Sequence, residues 1–340
     1  MNQLPVQSDR LHEIDVLYAI GTLLAILGHS HPNDWSTFPG GWVTFLYYFH
    51  MPLFFLIAGF LLARSRRVER IGYGAWLRQK ALRLLTPYFV LSAAALIPKY
   101  ALEHGGFQGL TLSYAAAAFF APRQNVWGHF WFLPVLYLLY VFFGALRATD
   151  DRRTDMQNCV VWIAVTVASF VLHFVKVDAV WFGISDLCDF AVYFAAGYWL
   201  FHFSQRYTSG GAKVARILVA AGLAALSVWL SVRVGRNLFG AALISAMMLT
   251  VCWEVGQLLK PCRLPVLDFI SRYVFTFYIY SWPAQAVVER AGSHFHVPWY
   301  TVTPAMFAAG VLCPAILIWV YRKCSFLHCK FLDLILGMRR

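Results

Sequence analysis

The stretch WVTFLYYFHMPLFFLIAGFLLA, Trp42 to Ala63, decides the fold. It contains no acid, lysine or arginine, and its only histidine is His50. Crossing a hydrocarbon core of about 30 Å takes roughly 20 apolar residues as helix, and this run has that length. Similar blocks lie on both sides of it. One precedes it at 14–30, and eight follow at 83–101, 128–146, 158–175, 186–203, 214–232, 238–259, 270–289 and 301–321. A membrane β-barrel would show alternating segments of about ten residues instead. The expected fold class is therefore all-α: a polytopic integral membrane helical bundle of about ten transmembrane helices. The Gly- and Ala-rich stretch 107–121 is apolar but too short to span, so it reads as re-entrant or interfacial.

Composition agrees. The chain is 60% hydrophobic and only 13% charged, against about 25% charged in soluble domains. Its mean hydropathy is +0.60. No internal repeat or attached soluble domain is visible, so 1–340 reads as a single transmembrane domain. The first apolar block follows Glu13 and Asp15 and lacks a small-residue cleavage site, so it is expected to stay as the first helix. The seven cysteines show no CxxC spacing and read as small apolar filler.

The net charge of +12 lies in the loops. With a cytoplasmic N-terminus, 22 of the 28 basic residues fall on the inside. Only Lys99, Arg123, Lys176, Arg233, Arg236 and Arg290 fall outside. This asymmetry predicts that both termini are cytoplasmic. Trp35, Trp42, Trp127, Trp181 and Trp299 then sit at the outer interface, where indole is favoured. The basic loops point to membrane lipid rather than nucleic acid as their partner.

Ionisable groups inside spans are costly in hydrocarbon, which makes them functional candidates. His29 lies 14 residues beyond Asp15, about 21 Å along a helix axis. His50 lies on the returning helix, eight residues from Trp42, so the two histidines are expected at similar depth. His129, Asp186 and Asp189 begin later spans on the same side, and Glu254 lies near the inner end of its span. Imidazole is suited to proton transfer near neutral pH. The plainer alternative is that these groups hold helices together by hydrogen bonds. On the opposite side, Lys80 and Arg83 are three residues apart, on one helix face, where two cations can grip one anionic group. Their plainer role is as a topology anchor. No HExxH or similar cluster appears, so no metal is expected.

Four segments together resemble the acyltransferase-3 family of membrane O-acyltransferases, in particular its shorter, fucose 4-O-acetylase-like members. They are Arg10-Leu-His-Glu-Ile-Asp15 leading to Gly28-His29-Ser30; Phe49-His-Met-Pro-Leu-Phe-Phe-Leu-Ile-Ala-Gly-Phe60; Lys80-Ala-Leu-Arg83 running to Pro87-Tyr88; and Trp131-Phe-Leu-Pro134. Tyr278-Ile-Tyr-Ser-Trp-Pro283 is a fainter echo. The second segment is the most specific, with Ala58 where the family usually has Ser.

The resemblance implies transfer of an acetyl or related acyl group from cytosolic acyl-CoA to a hydroxyl of an exported or lipid-linked glycan. It implies a bacterial inner membrane. By position, His29 would be the catalytic base, with His50 or Tyr18 orienting it or stabilising the oxyanion. Lys80 and Arg83 would hold the acetyl-CoA donor. The family usually places a basic residue where this chain has Tyr18, so Arg10 is a candidate for the missing charge. The rival reading is a transporter or flippase for a lipid-linked or polymeric glycan, although many secondary transporters carry internal repeats.

Overall fold

In the computed structural model, the described residues are 11–33, 36, 38–175, 177–205, 213–233, 237–324 and 328–338. Arg10, Trp35, Lys176, Arg206 and Arg236 lie outside them. Among the described residues the regular structure is entirely helical. In chain order the α-helices are α1 (His12–Gly28), α2 (Gly41–Tyr47), α3 (His50–Arg64), α4 (Arg67–Ile71), α5 (Tyr73–His104), α6 (Leu112–Phe120), α7 (Phe132–Arg147) and α8 (Asp155–Phe174). They continue as α9 (Ile184–Ser204), α10 (Lys213–Arg233), α11 (Leu238–Leu259), α12 (Pro265–Arg272), α13 (Val274–His294), α14 (Trp299–Lys323) and α15 (Lys330–Ile335).

Among the described residues seven spans are long and apolar enough to cross a membrane: α2 with α3, then α5, α7, α8, α10, α11 and α14. The protein is a polytopic helical membrane bundle. The three other expected spans fold as α1 (17 residues), α9 and α13 (21 each). These three carry acidic residues, and the acids turn inward. Glu13, Asp186 and Glu289 are all buried. α1 touches α2, α3, α11, α12, α13 and α14 and so lies at the centre of the bundle. α10, whose outward residues include Leu218, Trp229 and Val232, packs chiefly on α11.

The tightest helix pair is α3 with α9. A Cβ on Gly59 would overlap the Phe194 carbonyl, and one on Gly197 would overlap the Leu56 carbonyl. Lipid tails are as apolar as leucine, so membrane helices gain from close backbone approach through small residues. Ala58, Gly59, Ala195 and Gly197 supply that approach, and Phe55, Phe60 and Phe194 fill the flanks.

Four details differ from the sequence reading. The span 42–63 is not one helix but breaks at Tyr48 and Phe49. Pro52 has no N–H to give the Tyr48 carbonyl four residues back. The hydroxyl of Ser245, on α11, donates to that carbonyl instead. The break puts His50 on the first turn of α3. The third span begins ten residues early, because α5 carries its basic first turns as continuous helix and so includes Lys80 and Arg83. The span expected at 270–289 is divided between α12 and α13. The short 107–121 stretch contributes the nine-residue helix α6.

Candidate active site

α1, α3, α5, α7 and α13 surround one cavity of about 1200 Å³. Its two ends differ in chemistry. α1 rises from His12, while α3 descends to Arg64, so His29 and His50 share one end and the basic residues share the other. Arg64 is fourteen residues from His50 on α3, about 21 Å along the axis. The cavity thus runs through most of a bilayer's thickness.

The basic end is lined by Arg64, Arg66, Arg67, Arg70, Lys80, Arg83 and Arg272. Among the described lining residues Asp15 is the sole carboxylate. The nearby Glu69 does not line the cavity and is held by Arg147 at 2.5 Å. Arg147 and Arg153 also clamp Asp150, and the Trp162 indole donates to the same carboxylate at 3.2 Å. The acids of this region are therefore spent on tying α4, α7 and α8 together. Lys80 and Arg83 rest on aromatic faces: Lys80 Nζ is 4.0 Å from the Tyr140 ring centre, and Arg83 Cζ is 5.6 Å from that of Phe275. Aromatic faces attract cations and hold them in place.

The C-terminal segment adds a wall. Tyr321 donates its hydroxyl proton to Asp333 at 2.6 Å, and Tyr280 donates to the Ile335 carbonyl at 3.1 Å. Gly337, in the left-handed region at φ +71°, then turns the chain into the cavity lining beside Phe275.

At the other end three imidazoles line the same space: His29, His50 and His129. His29 follows the last residue of α1. Its ring is edge-on to His50, with centres 6.4 Å apart, and 5.9 Å from the Tyr47 ring. The Tyr47 hydroxyl donates to the Gly28 carbonyl at 3.1 Å, and its oxygen lies 3.5 Å from His29 Nδ1. Tyr47 is thus poised to orient His29, which sequence reasoning had assigned to His50 or Tyr18. His50 is buried. Its Nδ1 lies 2.9 Å from the Leu46 carbonyl, which can only accept, so Nδ1 carries the proton and Nε2 keeps its lone pair.

Tyr18 lines the cavity too, packed on Phe54 with ring centres 6.3 Å apart. It sits eleven residues before His29 on the same helix, about 16 Å down the axis and beyond contact with that imidazole. Lys80 and Arg83 are brought together as their spacing predicts.

Asp186 and Glu254 are not interfacial spectators. Arg123 grips Asp186 through Nε (3.0 Å to Oδ1) and a terminal nitrogen (2.5 Å), and its guanidinium stacks 3.7 Å from the Trp131 ring centre. Arg216 pairs with Glu254 at 2.5 Å and ties α10 to α11. Gln285 was missed by the sequence reading. It is 1% exposed and donates to the Ile26 carbonyl and the Ser30 hydroxyl, both at 2.7 Å, which fixes the end of α1 beside His29. A glutamine two residues after Pro283 carries no distinctive pattern in the sequence. Among the described residues no group of three or more His, Cys, Asp or Glu is placed to hold a metal ion.

A family model described as an acyltransferase domain, that of the acyltransferase-3 family, matches residues 11–321. No curated protein and no solved structure matches the chain. The match runs from the start of α1 into the last turn of α14, and so takes in every helix that lines the cavity. The chain belongs to the acyltransferase-3 family and is an integral membrane acyltransferase.

Proposed function

We propose that the protein transfers an acetyl or closely related acyl group from cytosolic acyl-CoA to a hydroxyl of a cell-surface or lipid-linked glycan, with His29 as general base. One observation carries this reading: a single cavity joins a cluster of cations to a cluster of histidines about 21 Å away. The cations suit the phosphates of a coenzyme A head group, which charge-assisted contacts bind well. An extended pantetheine arm covers the remaining distance and brings the thioester to the imidazoles. The basic end is the cytoplasmic end, by the same charge asymmetry that orients the helices. The donor then stays inside while the acceptor arrives from outside, and coenzyme A never crosses.

In this mechanism His29 takes the proton of the acceptor hydroxyl as its oxygen attacks the thioester carbonyl. The C–S bond breaks, and the coenzyme A thiolate recovers the proton from the imidazolium. Tyr47 orients His29 through its Nδ1 side. His50 keeps a lone pair at Nε2 and acts beside it as a proton acceptor. Tyr18 meets the ligand lower down, along the donor arm, where the family usually has a cation.

The test compares ester-linked acyl groups on the host's surface glycans in wild type, a deletion, and the deletion carrying His29→Ala. Esters that vanish in the deletion and return only with the wild-type gene support the reading. A glycan that fails to reach the surface while its residual acylation stays normal would replace it with a transporter.

A further inference from the structure

The third imidazole has no part in the scheme above. His129 is 6% exposed, yet neither ring nitrogen makes a well-aligned hydrogen bond, with only backbone groups of Tyr278 and Ile279 at hand. A buried polar group left unsatisfied is costly, so native structures keep few of them without a use. Both His129 and the preceding Gly128 line the cavity.

The surrounding structure holds the backbone that carries this ring firmly. The buried side chain of Asn125 accepts from the Trp127 N–H at 2.8 Å and donates to the Ala118 carbonyl and Ser92 hydroxyl, also at 2.8 Å. The Trp127 indole donates to the Leu91 carbonyl at 3.1 Å. The Tyr278 hydroxyl donates to the backbone carbonyl of His129 itself at 2.6 Å. The loop before α7 is therefore pinned to α5, α6 and α13. Around the imidazole stand Tyr278 and Trp282, with ring centres 5.3 and 5.4 Å away, and both also line the cavity.

We infer that His129, with Tyr278 and Trp282, forms the acceptor subsite, and that it takes a hydroxyl-bearing ring with one apolar face. This rests on the proposed function. A neutral imidazole offers one N–H and one lone pair, which matches hydroxyls that both donate and accept. Aromatic walls suit the C–H face of a sugar ring, as they suit other flat apolar surfaces. The cations on this side are already engaged: Lys99, whose Nζ lies 5.2 Å from the Trp282 ring centre, with Glu103 and the Val126 carbonyl, and Arg123 with Asp186, so the subsite selects for hydroxyls rather than for an acidic group. His129 is a positioning residue for the acceptor, distinct from the base His29.

The experiment uses purified full-length protein in lipid nanodiscs, with acetyl-CoA as donor. The acceptor is the producing strain's own surface polysaccharide, stripped of esters by mild alkali. His129→Phe keeps the volume and removes both nitrogens; His129→Gln keeps a donor and an acceptor. In His129→Phe the KM for polysaccharide is expected to rise at least about tenfold, the value of one well-made hydrogen bond. The KM for acetyl-CoA is expected to hold, and His129→Gln should recover part of the loss. Direct polysaccharide binding without donor should weaken by a similar factor in His129→Phe. Unchanged polysaccharide binding and KM in that variant would overturn the inference. An equal rise in both KM values would reduce His129 to a packing residue. Wild-type protein that binds the polysaccharide through His129 but transfers no acetyl group would retain the subsite and defeat the proposed chemistry instead.

Discussion

The two ends of the cavity are built on opposite principles. At the basic end seven cations crowd one mouth, several of them exposed, and the acids nearby are spent on other arginines. At the histidine end, His129 apart, the polar groups are single and fixed by their own backbone contacts: His50 to Leu46, Tyr47 to Gly28, Gln285 to Ile26. The difference follows from solvent. Exposed charges in water are individually weak and interchangeable. A polar group buried among helices must be satisfied by a particular partner, so each position is unique. Redundancy at one end and singularity at the other predict unequal responses to substitution.

The largest effect belongs to His29. His29→Ala should lower the acyl transfer rate by about 10²–10⁴, the usual worth of a general base. The protein should still insert, because the His29 ring forms no part of the close α3–α9 packing. A rate within tenfold of wild type would move the base to His50 and break the comparison at its strongest point. By contrast, Gly59→Leu should fail at the level of folding. Its side chain would have to displace the Phe194 backbone at a cost of about 3 kcal/mol or more. Detergent-stable protein yield separates these two kinds of loss.

An intermediate effect is expected at Lys80 and Arg83. Removing both should raise the KM for acetyl-CoA about ten- to a hundredfold, since contacts to charged groups are worth about 1.5–3 kcal/mol each and these are half-exposed. Removing one of the exposed arginines, as in Arg67→Ala, should cost less than tenfold. Donor binding should also weaken as salt rises, because the mouth is open to water. A single substitution as damaging as the double one would show that the cations are not interchangeable.

What the sequence disclosed follows the same division. The helices were legible because long apolar runs admit few other structures in a membrane. His29, His50, Lys80 and Arg83 were legible because a histidine in hydrocarbon and paired cations at i and i+3 are conspicuous. The break before His50 was not, because Pro52 in a first turn is compatible with one helix or with two, and only Ser245 on a distant helix shows which. The Arg123–Asp186 and Arg216–Glu254 pairs were hidden for the same reason: their partners are 63 and 38 residues apart. His129 was visible as a residue but not as an open pair of nitrogens, which depends on four elements meeting. The C-terminal wall was invisible because residues 328–338 are neither apolar enough to span nor charged enough to stand out.

That wall gives a smaller effect. A side chain at Gly337 would occupy a left-handed backbone position and press on Phe275 at 2.8 Å and on the Thr276 nitrogen at 3.0 Å. Gly337→Val should therefore loosen the segment from α13 and raise the acetyl-CoA KM severalfold, with polysaccharide KM unaffected. Equal changes in both would mean that the wall serves the whole bundle rather than the donor mouth.

The smallest effect is expected at Tyr18, and it sharpens the comparison most, because Tyr18 stands between the two ends. Its backbone position is about 16 Å below that of His29 along α1, well down the passage from the imidazole. It is also the position where related enzymes usually carry a cation. If Tyr18 only shapes the passage for the donor arm, Tyr18→Phe should change the transfer rate less than about threefold, as a surface hydroxyl worth no more than about 0.5 kcal/mol would. Tyr18→Arg should then lower the acetyl-CoA KM, by adding a charge along the path of the donor. A loss of a hundredfold in Tyr18→Phe would place the hydroxyl in the chemistry and require α1 to bend or slide during turnover, which would end the separation between a redundant end that binds and a singular end that reacts.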